Sequence, residues 1–137
     1  MKIISHRGNL NGIERNLENN PDRILEVIKK FEVEVDVWYV NNKWFLGHDL
    51  PTYEVTNFFF SNKMWLHAKN FDACIRLKNT ELNWFWHEND KITLTSKNYL
   101  WCFPGVYIQD GITVEFGHNK NLPKNILGVC TDFPELY

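Results

Sequence analysis

The run from Val33 to Val40 alternates between two sides of the chain. Val33, Val35 and Val37 fall on one side, and Glu34, Asp36 and Trp38 on the other. A period of two predicts a strand that carries both carboxylates on one face. Asn41-Asn42 follows as a hairpin turn signal, and Lys43 to Leu46 predicts the returning strand. Gly47-His48-Asp49 lies at its end, and Leu50-Pro51 stops it. Upstream, the short apolar run Lys2 to Ser5 predicts a first strand, which puts His6-Arg7-Gly8 on the loop after it. The period changes after Asn20: Ile24, Leu25, Val27, Ile28 and Phe31 recur at helical spacing. Asn20 suits the N-cap, Pro21 the first helical position and Asp22 the first turn. Lys29-Lys30 suit the negative end of the helix dipole.

The second half of the chain is richer in short strands. Met64 to His67 predicts one, ended by Ala68-Lys69, and Asn70 caps a short helix in which Phe71, Cys74 and Ile75 share a face. Leu82 to Trp86 predicts another strand, with His87-Glu88-Asn89-Asp90 at its end. Ile92 to Thr95 and Tyr99 to Phe103 follow. Val106 to Ile108 and Ile112 to Phe116 flank Asp110-Gly111, a second hairpin signal. Ile126 to Cys130 predicts the last strand, with Thr131-Asp132-Phe133-Pro134 beyond it. The stretch from Thr52 to Asn62, with Phe58-Phe59-Phe60, fits no single period. Ionisable groups thus recur where predicted strands end: His6, His48, His67 to Lys69, His87-Glu88 and Asp132. Such groups gather at one face in α/β barrels, although strand ends also meet water for no functional reason.

Composition narrows the classes. The 137 residues suit one domain spanning 1–137, and 44% hydrophobic content supports a core without disulfides. A net charge of −2 gives no basic excess, so nucleic acid is not an expected partner. Cys74, Cys102 and Cys130 are too widely spaced for a zinc ribbon or a redox pair, and they read as buried free thiols. The N-terminus has no apolar leader and no run approaches a membrane span, so the expectation is a cytoplasmic protein without a stable membrane anchor.

Four motifs in order, His6-Arg7-Gly8, Glu18-Asn19, Glu34-Val35-Asp36-Val37 and His48-Asp49, resemble the N-terminal signature of glycerophosphodiester phosphodiesterases. The tail from Gly128 to Glu135 resembles the last strand and the Thr-Asp-aromatic-Pro ending of the same family. The resemblance implies the barrel that these enzymes share with phosphatidylinositol-specific phospholipase C and the sphingomyelinases D. Such barrels usually take about 250 residues. The expectation here is therefore an α/β fold, a reduced TIM-type (β/α) barrel with most outer helices missing. Strand faces left bare would favour a homo-oligomer.

Two carboxylates on one strand face can converge on one cation, and Glu34 and Asp36 suit Mg²⁺ or Ca²⁺. Where the family often carries a metal-binding glutamate in Glu-x-Lys, this chain has His67-Ala68-Lys69. His67 is either a nitrogen ligand, which shifts the preference towards Mn²⁺ or Zn²⁺, or a core or phosphate-contacting histidine. His6 and His48 are the natural acid and base, since imidazole titrates near neutral pH. Arg7 and Lys69 suit a phosphate, Arg7 as a fork and Lys69 as a point charge, although Arg7 could instead form a structural ion pair. Glu18 could join the metal or accept a hydrogen bond from Arg7. The resemblance implies metal-dependent hydrolysis of a small phosphodiester with a polyol or sugar head. A non-catalytic phosphate and metal binder, or a lyase that forms a cyclic phosphate, are the alternatives.

Overall fold

A computed structural model describes all residues 1–137. It contains ten strands and two seven-residue α-helices. The strands are β1 (Lys2–His6), β2 (Glu32–Val40), β3 (Lys43–Leu46), β4 (Tyr53–Val55), β5 (Met64–Ala68), β6 (Asn83–Phe85), β7 (Ile92–Leu94), β8 (Leu100–Cys102), β9 (Gly111–Glu115) and β10 (Gly128–Thr131). Helix α1 is Pro21–Val27 and α2 is Phe71–Leu77. No helix is long and apolar enough to cross a membrane.

The local devices form as the residues dictate. Asn20 caps α1 by accepting from the backbone of Asp22 and Arg23, at 3.0 and 3.2 Å. The helix stops at Val27, short of Phe31, and the chain tightens into a turn. Asn41 and Asn42 both take positive φ, 51° and 61°, and make the primed turn that joins β2 to β3. Asn70 caps α2 through Ala73 N–H and also brackets Tyr39 of β2, with its amide donating to Tyr39 O at 2.8 Å. That side chain locks the start of α2 to the sheet. The buried face of α2 is Ala73 and Leu77, whereas Phe71 and Ile75 are exposed, so the expected face is rotated.

The expected reduced TIM-type barrel is not what forms. The chain builds a strand-rich half-barrel on a mixed sheet, ordered β4-β3-β2-β1-β10-β9-β8-β7, with β5 on the other edge of β2 and β6 beyond it. Pairs β1·β2, β1·β10, β10·β9, β8·β9, β2·β5 and β5·β6 are parallel, and β2·β3, β3·β4 and β7·β8 are antiparallel. Only β1–β2 and β5–β6 are linked through α-helices. The physical reason is length: 137 residues cannot supply eight strand–helix units, so most connections are loops or tight turns. Between β6 and the β7–β8 hairpin there is no ladder. Isolated bonds stand in for it, with Thr93 Oγ1 donating to Trp86 O at 2.9 Å and Ser96 N–H to Trp84 O at 2.8 Å. Asp110-Gly111 is not a hairpin turn: residues 106–108 form no strand, and β9 runs parallel to both β8 and β10.

Two apolar clusters fill the two faces. Val33, Val35, Val37, Met64, Leu66 and Leu46 pack with Ile24 and Val27 of α1 and Ala73 and Leu77 of α2. Ile4, Trp65, Phe85, Trp101, Ile112, Val114 and Cys130 pack on the inner face. Phe85 and Trp101 stack there at 4.5 Å between centroids. The three thiols are free, with Cys102 and Cys130 buried and Cys74 half-buried. Phe59 and Phe60 join the aromatic edge contacts of Trp44, while Phe58 is 89% exposed.

Candidate functional site

Parallel register brings the polar residues together. His6 lies opposite Glu34 in the β1·β2 ladder, and Asp36 opposite His67 in β2·β5. Side chains at paired positions of parallel strands project from the same face, so the inner-face alternation of β2 is continued on both neighbours. The last strand contributes Asp132 directly after β10.

The turn after β1 sets the geometry of Arg7. Its φ is 54° and that of Gly8 is 84°. A Cβ on Gly8 would sit 3.0 Å from Ile24 Cδ1, so glycine lets α1 close on this turn. Arg7 N–H donates to Glu34 O at 3.1 Å and lies 3.3 Å from Glu34 Oε2. The guanidinium reaches Asp36 Oδ2 (3.1 Å from Nε) and Glu18 Oε2 (3.6 Å from Nη1). Burial alone would lower the Arg7 pKa, but the charges of Asp36, Glu34, Glu18 and Asp132 outweigh it and hold it raised.

Asp36 is fully buried and held from three sides. Asn19 donates from Nδ2 to Asp36 Oδ2 at 2.9 Å and accepts from Asp36 N–H at 2.9 Å. Lys69 Nζ lies 3.8 Å from Oδ1, held there by its own backbone N–H bonding to Val37 O. Burial works to raise this carboxyl. The His67 contact and the charges of Arg7, His67 and Lys69 reverse that, and it stays well below the usual carboxylate range.

His67 is the pivot. Its Nε2 lies 2.8 Å from His87 O, a carbonyl that can only accept, so Nε2 carries a proton. Its Nδ1 then faces Asp36 Oδ1 at 3.2 Å and Glu34 Oε1 at 3.7 Å. A bare lone pair aimed at two carboxylates is repelled, so this nitrogen takes a cation, either a proton or a metal. Desolvation opposes the charge, but Asp36 and Glu34 prevail and lift the His67 pKa to about 9. Glu34, Asp36 and His67 each offer one ligand atom, all within 4.8 Å of one another. Asp36 Oδ1 is buried and faces only His67 Nδ1 and Lys69 Nζ, while Arg7 Nε is buried against Asp36 Oδ2. With the proton displaced from His67 Nδ1, Asp36 Oδ1, the second carboxylate and the imidazole nitrogen fit a divalent cation.

His6 is 10% exposed and its Nδ1 lies 2.8 Å from Asp132 Oδ1. A buried carboxylate there fixes the Nδ1–H tautomer and leaves Nε2 as the acceptor, 4.0 Å from Glu34 Oε2. Asn9 cross-links this pair, donating to Asp132 Oδ1 at 2.8 Å and to Glu18 Oε1 at 3.0 Å. Asp132 and Asn9 belong to the centre, though neither was among the expected site residues. Asp132 could be suspected from the Thr-Asp-Phe-Pro tail. Asn9 carried no signal beyond adjoining His6-Arg7-Gly8.

The structure therefore gathers His6, Arg7, Glu34, Asp36, His67 and Lys69, with Glu18 at the edge. His48 is different. It is 40% exposed, contacts only Asp49 (Oδ1 at 2.7 Å) among charged groups, and stands outside the buried cluster. It lines a cavity of about 310 Å³ together with Arg15, Glu18, Asn19 and Tyr53. Glu18 and Asn19 also touch the Arg7–Asp36 pair, so the cavity abuts the centre. Gly47, at φ 151°, aims the His48 turn: a Cβ there would fall 2.0 Å from Leu50 O. His87, whose carbonyl engages His67, is itself fixed by its Nε2 donating to Asp90 O at 2.6 Å.

Comparison with protein-family models, with curated proteins and with solved structures finds no match to this chain.

Proposed function

We propose that the chain is a metal-dependent phosphodiesterase of the glycerophosphodiester type, working on a half-barrel. The observation that carries this reading is the buried cluster of Glu34, Asp36 and His67, with ligand atoms within 4.8 Å of one another, set directly beside the cations of Arg7 and Lys69. A divalent cation suits the carboxylates and imidazole, and a phosphodiester suits the two basic side chains next to them. The motif resemblance supports the same substrate class.

Glu34, Asp36 and His67 would hold the divalent cation. When bound, it supplies charge stabilisation to the phosphoryl oxygens in the transition state. Arg7 and Lys69 neutralise and orient the phosphate. His6, its proton held at Nδ1 by Asp132, accepts a proton at Nε2 from the attacking oxygen, which is a water or a neighbouring substrate hydroxyl. The new oxygen–phosphorus bond forms as the bond to the alcohol breaks. His48, in the cavity wall, donates the proton that the departing alkoxide needs. Attack by the substrate's own hydroxyl gives a cyclic phosphate first.

A glycerophosphodiester such as glycerophosphoglycerol, with phosphorus NMR to follow the products, tests the reading. Turnover that stops with a chelator and in His6→Ala supports it. Turnover unchanged in both His6→Ala and His48→Ala overturns it. One observation favours a second reading, a non-catalytic binder: His48 is exposed and lies outside the buried cluster. Calorimetric binding of the phosphodiester without any product would favour that reading.

A further inference from the structure

We propose that the centre of Glu34, Asp36 and His67 selects a divalent first-row ion such as Mn²⁺, Co²⁺ or Zn²⁺ over Mg²⁺ and Ca²⁺. The inference uses the cation site of the phosphodiesterase reading and rests on it to that extent, but its test does not depend on turnover.

Three features of the donor set carry it. The first is that His67 can present only Nδ1. Its Nε2 is engaged by His87 O at 2.8 Å, and its ring is stacked on Phe85 at 5.0 Å and 16°. Phe85 is itself stacked on Trp101, so turning the ring would disturb the inner core. A carbonyl partner on the far nitrogen is the usual device for orienting a metal-binding imidazole and raising its basicity. The second feature is that the carboxylates are restricted. Asp36 Oδ2 is taken by Asn19 Nδ2 and faces Arg7 Nε, which leaves Oδ1 as its one open donor. Glu34 turns Oε2 towards Arg7 N–H and His6, and Oε1 towards His67. The protein thus offers two single oxygens and one nitrogen.

Such a set is poor for Ca²⁺, which takes about 6–8 oxygens. Mg²⁺ also prefers oxygen and gains little from imidazole. Nitrogen donors suit the first-row ions, whose affinities rise from Mn²⁺ through Co²⁺ towards Cu²⁺. The third feature is the surrounding charge. Arg7 and Lys69 lie at 3.1 and 3.8 Å from Asp36 oxygens. They weaken the negative field on which hard cations depend, while a nitrogen–metal bond with more covalent character loses less.

The test is calorimetric titration of the metal-free full chain with Mg²⁺, Ca²⁺, Mn²⁺, Co²⁺ and Zn²⁺ in turn. Visible absorption of the Co²⁺ form and NMR of the histidine ring protons accompany it. One equivalent of Co²⁺ and of Mn²⁺ bound at least 100-fold more tightly than Mg²⁺, with the His67 ring signals shifted or broadened, is the expected result. His67→Gln should weaken Co²⁺ at least tenfold, and His67→Glu should bring Mg²⁺ within tenfold of Mn²⁺. Mg²⁺ or Ca²⁺ binding as tightly as Mn²⁺ overturns the inference and leaves the phosphodiesterase reading standing. Co²⁺ binding that leaves the His67 signals unmoved also overturns it, and this needs no variant to fold. Absence of binding by every ion overturns it too, and with chelator-resistant turnover removes the metal from the proposed reaction.

Discussion

Replacing His67 by glutamine should remove a stabilising charge whose contribution depends on pH in a defined direction. The imidazole lies between Asp36 and Glu34, is 17% exposed on its side chain, and has its pKa lifted from 6.5 to about 9. At about 1.4 kcal/mol for each tenfold change in proton affinity, that rise corresponds to about 3 kcal/mol of folding free energy. The raised pKa belongs to the folded state. Below about pH 6.5 both folded and unfolded chains hold the proton, and the contribution is complete. Between about 6.5 and 9 the unfolded chain releases the proton while the folded chain keeps it, so the contribution declines. Above about 9 it is gone. Glutamine retains an amide able to donate to His87 O but carries no charge. Urea unfolding of the metal-free wild type and His67→Gln, at pH 6 and at pH 9.5 with chelator present, measures the effect. The stability difference between the two proteins should be larger at pH 6 by about 3 kcal/mol. Titrating groups outside the cluster are common to both proteins and cancel. A difference that is constant with pH, or that grows as pH rises, refutes the ion-pair account of His67.

Further outcomes follow from the same contacts. A metal that binds Nδ1 must displace the proton there, so calorimetry at pH 8 in two buffers of different ionisation enthalpy should report about one proton released per ion. Asn19→Ala removes both the donor to Asp36 Oδ2 and the acceptor of its N–H; chemical denaturation should show a loss of about 2–3 kcal/mol. Asp132→Asn keeps the shape but no longer enforces the Nδ1–H tautomer of His6. Turnover should drop about 10²- to 10⁴-fold with the melting temperature little changed. Asn70→Ala loses the α2 cap and both bonds to Tyr39, and thermal melting should register about 1–2 kcal/mol of destabilisation.

Much of the centre was legible in the sequence, because its residues announce themselves in short motifs. Strand alternation puts Glu34 and Asp36 on one face whatever their partners are, and the register of β1·β2 and β2·β5 then brings His6 and His67 alongside. His48 was legible as a motif but not as a position. The turn after β3 leaves it exposed at a cavity wall instead of inside the carboxylate cluster. The expected TIM-type barrel failed on length, since 137 residues cannot supply its strand–helix units, and the strand directions were not legible for a separate reason. Short apolar runs show that strands exist but not which way they run. Asp110-Gly111 reads as a hairpin turn, yet β9 pairs in parallel with β8 and β10.

What the sequence determined by itself is whatever depends on neighbours within a few positions. This covers the alternation of β2, the Asn20 and Asn70 caps, and the paired positive φ of Asn41 and Asn42. Backbone geometry and side-chain reach set these locally. Tertiary structure alone decided the half-barrel topology and the second partners of the site. Asp132 meets His6 across 126 positions, and His87 offers its carbonyl to His67 across 20. Such pairings depend on which strand edges close on one another, a choice made by burying the two faces of the sheet together.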